Sequence, residues 1–176
     1  DGAGLCRAGR GDLADWHTYG ISPAWSHFVR AACQTQAMST NPWSDLPATA
    51  PFVLPIDAAA VAAHNASAAP AHRFQLDMAP EPWMGDPVAP VVVLTGNPRF
   101  REDDLETHRR PDVRRLLLAN VLRESRSHPL VWLDPQLADT SGAAWYRSRL
   151  RHLIEEVGNG AVARGLVFFE SLPYHS

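Results

Sequence analysis

The chain has 176 residues, 45 % of them hydrophobic, and a formal net charge of −3, which suits a single packed domain and excludes a nucleic-acid footprint carried by charge alone. Residues 1–90 hold 4 Arg against 8 acids and residues 91–176 hold 12 Arg against 11 acids, so only the second half can present a basic face. Cys6 and Cys33 are the only thiols and no apolar run reaches the ~18–20 residues of a bilayer span, which excludes a disulfide framework, a four-cysteine cluster site and a membrane anchor, and makes a cytoplasmic protein the expectation.

Residues 1–37 lack clean periodicity ahead of Met38 and read as an N-terminal extension, disordered or non-native; a short helix over 24–32, where Trp25, Phe28 and Val29 keep helical spacing, is the alternative. Residues 38–176 read as the domain. Over 42–55 four prolines impose an extended strap, since each fixes φ and removes a donor, and Trp43, Leu46, Phe52 and Leu54 are expected to staple it to the core. Asp57 predicts a side-chain cap for an Ala-rich helix reaching about Ala66. Phe74, Leu76 and Met78 alternate with polar residues at the period of a half-buried strand, and PEPWMGDPVAP reads as a long turn. The run VVVL at 91–94 is continuous rather than alternating, which predicts a strand buried on both faces.

GNPRF and the acid-rich REDDLE then read as a polar loop. Pro111 opens a predicted helix over 111–126, because a first-turn proline loses no hydrogen bond, and Val113, Leu116, Leu117, Asn120 and Val121 share one face. The run at 130–133 is either a strand or a buried turn. Tyr146, Leu150, Leu153, Ile154 and Val157 mark one amphipathic helix closed at Gly158-Asn-Gly160, and 165–169 is the last strand. Strand, helix, helix, strand between 91 and 169 implies a parallel pair with covering helices, because parallel strands need a crossover of that length. The loops after both strands, TGNPRF and ESLPYHS, then face one rim, where open α/β sheets bind ligands. So small a sheet, ending at that rim, points to a domain incomplete at its C-terminus.

Two readings of Gly96-Asn97-Pro98 stand side by side: a plain turn, or an amide held stiffly between Gly and Pro and aimed at a bound water, with Gly96 letting a substrate approach the backbone. Tyr174-His175-Ser176 is likewise either a terminal polar loop or a second wall of the same cleft, His175 being able to titrate or donate near neutrality. Arg99, Arg101, His108, Arg109, Arg110, Arg114 and Arg115 form either a phosphate clamp or a solvated helix edge neutralised by Glu102, Asp103, Asp104 and Glu106. His108, His128, His152 and His175 show no His-x-x-x-His spacing, so neither a metal nor another cofactor is expected.

VVVLTGNPRF, the following helix, WLDP, AWYRSRLRHLIEEVG and VFFESLPYHS, with NPWSDLP ahead of them, resemble a group of mostly uncharacterised bacterial proteins in or near the uracil-DNA glycosylase superfamily. The resemblance covers 38–176 and implies a three-layer α/β/α fold with a short, mainly parallel central sheet. It also implies hydrolysis of an N-glycosidic bond of a damaged or deaminated base, with DNA as partner. In two branches the superfamily's first motif reads Gly-x-Asn-Pro-Gly and its Asn positions the hydrolytic water; here Asn97 and Pro98 match it, and Arg99 replaces the last Gly. The resemblance thus makes Asn97 the catalytic candidate; Gly96, Pro98, Arg99 and Phe100 beside it are the substrate-binding candidates, Phe100 by stacking on an extruded base, and Tyr174 and His175 join them from their expected place on the shared rim. The superfamily's later His-containing motif has no counterpart, so its role is not transferred to His175. The alternatives are a non-catalytic module binding a nucleotide or anion and an assembly domain.

Overall fold

Proline and aromatic residues set the first part of the fold. The computed structural model describes residues 41–98 and 100–176, so the expectations for residues 1–37 lie outside the described residues. The strap is held by Trp43, Phe52 and Leu54, all buried, while Leu46 is half-buried. Helix α1 (Ala58–Ser67) follows, but Asp57 forms no side-chain cap; its carboxylate instead accepts a hydrogen bond from the Tyr174 hydroxyl at 2.7 Å. The expected strand around Phe74 is absent. Its backbone is satisfied from elsewhere, Phe74 by both ends of the Asn65 side chain and Gln75 N–H by the His175 carbonyl, so the segment stays irregular.

The three strands among the described residues are β1 (Trp83–Gly85), β2 (Val91–Thr95) and β3 (Leu166–Glu170), in the order β1-β3-β2. β2 runs parallel to β3, Val91 opposite Leu166 and Thr95 opposite Glu170, as the crossover argument requires. β1, within the expected long turn, is antiparallel to β3, with Trp83 opposite Phe169. Gly85 has φ +119°, and a Cβ there would lie 2.5 Å from the Leu166 carbonyl, so only glycine lets β1 close on β3. Burial reverses one expectation. Every residue of β3 is buried, whereas Val91, Val92 and Leu94 of β2 are 50 %, 53 % and 75 % exposed. Among the described residues β2 pairs on one side only; an apolar run reports hydrophobicity, not position in the sheet.

Between β2 and β3 lie α2 (Glu102–Arg109), α3 (Pro111–Val121), two 3-10 turns (Val131–Leu133 and Pro135–Leu137), α4 (Ser141–Arg149), α5 (Arg151–Val157) and α6 (Asn159–Gly165). α2 replaces the expected polar loop. Its low hydrophobicity concealed it, yet three acids fill its first turn, His108 and Arg109 its last, and the Asp104 carboxylate accepts from Arg101 N–H at 2.9 Å. α3 stops short of 126 because Arg123 takes φ +59° and Glu124 N–H reaches back to the Ala119 carbonyl. The single helix expected around 146–157 is broken at Leu150, and Gly158, at φ +85°, turns the chain into α6. Val113, Leu116 and Leu117 of α3 pack with Leu130–Leu133 residues, Tyr146, Val162 and the Met84, Phe168 and Leu166 side chains of the sheet to form the core, with Val93 at its margin. The result is a mixed α/β domain over 42–176.

Candidate functional site

Parallel pairing puts the ends of β2 and β3 side by side, and hydrogen bonds join the loops that follow. Ser171 N–H donates to the Thr95 carbonyl at 3.0 Å and Leu172 N–H to the Gly96 carbonyl at 2.9 Å, while the Ser171 hydroxyl also reaches Gly96. Asn97 Nδ2 donates to Ser176 Oγ at 2.8 Å. The rim expected from the sequence therefore exists: Asn97, half-buried, meets the last residue of the tail. That hydrogen bond uses one of the two Nδ2 hydrogens, and Oδ1 is the acceptor the side chain has for a water. Gly96 is exposed, has no positive φ, and a Cβ there would meet nothing within 4 Å, so its own fold imposes no glycine at this position. Pro98 is buried and Phe100 half-buried; Arg99 lies outside the described residues.

The two ring residues of the tail separate. Tyr174 is 6 % exposed and its hydroxyl donates to Asp57 Oδ2 while accepting from Leu54 N–H at 3.2 Å, with Trp43 and Phe74 against its ring. It ties the strap to the tail, its hydroxyl engaged as donor and as acceptor within the fold. His175 turns the other way. Its imidazole is 3 % exposed and its Nε2 lies 3.5 Å from Glu81 Oε1.

Around that contact stands a group the sequence reading did not assemble. Glu81, just before β1, His108, in the last turn of α2, and His175, after β3, are all buried, and one ligand atom from each lies within 4.8 Å of the others. His108 Nε2 is 3.8 Å from Glu81 Oε1, and the two imidazoles meet edge-on with centroids 4.8 Å apart. Trp132 Nε1–H donates to the other carboxylate oxygen, Oε2, at 3.3 Å, which fixes the carboxyl with Oε1 toward the imidazoles. Trp132 is held in turn by Gly142: a Cβ there would lie 2.7 Å from the indole. His108 Nδ1 is buried without a hydrogen-bond partner among the described residues.

Electrostatics follow from burial. Desolvation drives the Glu81 carboxyl up to about 8, against the opposing Trp132 hydrogen bond and with help from Glu170 and Asp104. Desolvation, then His175 and Arg114, hold His108 well below the usual imidazole range. Glu170, the last residue of β3, is raised by burial despite Thr95 alongside, and its Oε2 has no hydrogen-bond partner among the described residues. Burial thus disfavours the charged form of both Glu81 and His108. One carboxyl and two imidazoles are donors of the type that can hold a metal ion, a grouping that linear spacing did not reveal. The one sequence signal was Glu81 itself, a lone acid in MAPEPWM.

The arginine cluster disperses. Arg101 pairs with Asp103 at 3.2 Å, Arg110 with Asp112 at 2.8 Å and Asp139 at 2.7 Å, Arg114 lies over Phe52, and His108 points inward. Two of these arginines, Arg101 and Arg110, are thus engaged by acids of the same chain. Among the described residues no helix is long and apolar enough to cross a membrane. Comparison with known proteins finds no matching family model, no similar curated protein and no similar solved structure.

Proposed function

We propose that the chain is a hydrolase cleaving the N-glycosidic bond of a damaged or deaminated base in DNA, on a fold resembling that of the uracil-DNA glycosylase superfamily. The observation that carries this reading is the Asn97 amide at the C-terminal end of β2, tethered through Nδ2 to Ser176 at 2.8 Å. Tethering one end of the amide fixes the direction of the other. Asn97 Oδ1 then orients a water toward the anomeric carbon. A carboxamide takes up no proton at neutral pH, so the reaction runs through a dissociative, oxocarbenium-like transition state in which base departure leads and water follows. Orientation and fixed dipoles supply the acceleration; removing one such group typically costs ~2.7–4 kcal/mol. Phe100, half-buried beside the rim, serves as the stacking surface for an extruded base, a contact worth ~1–3 kcal/mol.

Because Arg101 and Arg110 pair with acids of their own chain, they contribute little to phosphate contacts, and affinity for DNA should fall with salt less steeply than if every arginine of the cluster added its slope of about 0.9 per neutralised phosphate. The direct test incubates the protein with uracil-containing single-stranded DNA, duplex DNA and free deoxyuridine and measures abasic sites and released base. Abasic sites on DNA support the reading. Binding of DNA or nucleotide with no base release favours the non-catalytic module, and neither binding nor release favours the assembly domain.

A further inference from the structure

We propose that Glu81, His108 and His175 form a binding site for one divalent transition-metal ion, Zn²⁺ being the best fit. The argument starts from spacing. The imidazole-to-carboxylate distances of 3.5 and 3.8 Å are too long for charge-assisted hydrogen bonds, which run ~2.7–2.9 Å. They are close to what a shared ion needs: three donors bound at ~2.0–2.2 Å in a tetrahedral arrangement stand about 3.4 Å apart. The whole set lies within 4.8 Å, so a contraction of at most about 1.4 Å for any pair completes it.

Burial points the same way. A carboxyl and two imidazoles, each no more than 5 % exposed, converge on one point, and His108 Nδ1 is buried without a hydrogen-bond partner among the described residues. Coordination of an ion by the set would offset part of the cost of burying it. The surroundings have the form of a metal centre's outer layer: Trp132 occupies Glu81 Oε2 and leaves Oε1 as the single donor, and Gly142 gives the indole room to do so. Glu170 and Asp104 place two further acids close enough to act on Glu81, which favours a cation at this point. Imidazole and carboxylate donors suit Zn²⁺ over softer Cu(I) and over Mg²⁺ or Ca²⁺, which prefer oxygen alone. The three ligands come from the segment before β1, from α2 and from the segment after β3, so the ion would also lock together parts of the chain far apart in sequence.

The test uses the full chain, stripped with a chelator, desalted and titrated with Zn²⁺ and with Co²⁺, with metal content measured by mass spectrometry. The expected result is one equivalent per chain, a visible Co²⁺ absorption of tetrahedral type, and a higher melting temperature on Zn²⁺ addition. Glu81→Gln and His108→Gln should lose the stoichiometric site, and Trp132→Phe should weaken it ~10–100-fold. Asn97→Ala should bind the metal fully, so that failure of this proposal and failure of the glycosidase reading are told apart. No stoichiometric uptake by the folded parent would overturn the proposal, as would unchanged uptake by Glu81→Gln and His108→Gln. Should those variants not fold, the ¹⁵N shifts of the parent's His108 and His175 decide: both must move on Zn²⁺ addition, and unmoved shifts overturn it.

Discussion

The rim at Asn97 and the centre at Glu81 sit behind the same sheet ends but are built by opposite means. The rim is local. Two loops leave neighbouring parallel strands and meet through backbone bonds from Ser171 and Leu172 and two side-chain bonds, Asn97 to Ser176 and the Ser171 hydroxyl to the Gly96 carbonyl. The centre is assembled from three distant segments, is almost wholly buried, and depends on a chain of supports that runs through Trp132 to Gly142. The difference teaches where stability and chemistry separate: substitutions at the centre's supports should cost folding free energy, and substitutions at the rim should leave the fold intact.

The largest structural effect is expected at Asn120. Its side chain donates to the Trp83 carbonyl at 2.7 Å and accepts from Gly85 N–H at 3.3 Å, which finishes the outer edge of β1 and thereby seats Glu81 two residues upstream. Asn120→Ala leaves both backbone groups buried and unpaired and should cost about 2–4 kcal/mol in urea unfolding. Gly142→Ala comes next. The added methyl overlaps the Trp132 ring, so about 1–3 kcal/mol is expected, together with a shift in tryptophan fluorescence as the indole leaves Glu81. A fully stable Gly142→Ala with unchanged fluorescence would show that Trp132 is not wedged.

Tyr174→Phe removes the hydroxyl that serves Asp57 and Leu54 and should cost about 1–2 kcal/mol in stability while leaving substrate affinity unchanged. A loss of substrate affinity instead would return Tyr174 to the rim. The smallest effect belongs to the surface. Hydrogen bonds from Arg110 hold Asp112 and Asp139 below the usual carboxylate range, so their contribution is present above the ordinary value of 3.8 and vanishes as pH falls through the depressed values. Thermal melts of the parent and Arg110→Ala should therefore differ slightly at pH 6, converge on acidification below pH 4, and differ less in high salt.

The same contrast explains what the residues disclosed. The parallel pair and its common rim were legible because a strand-to-strand crossover has few solutions, and α3 because Pro111 and five apolar or amide positions keep one helical face. Asn97 stood out because Gly and Pro flank it. The burial of β2 was misread because Val, Val, Val and Leu look alike on an edge and in the middle of a sheet. α2 was hidden by an apolar-poor face, although its terminal charges matched the helix dipole. Glu81, His108 and His175 had no shared local signature, only the lone acid Glu81 among apolar neighbours. Their meeting depends on α2 being a helix and on β1 pairing with β3, neither of which the periodicity revealed, and Arg99 falls outside the described residues.

The most direct measurement compares single-turnover base release from uracil-containing DNA by the parent and by Asn97→Ala at matched folding. The account predicts a melting temperature unchanged to within the equivalent of ~0.5 kcal/mol and a rate lower by about 10²–10³. Equal rates of base release by the two proteins would contradict it.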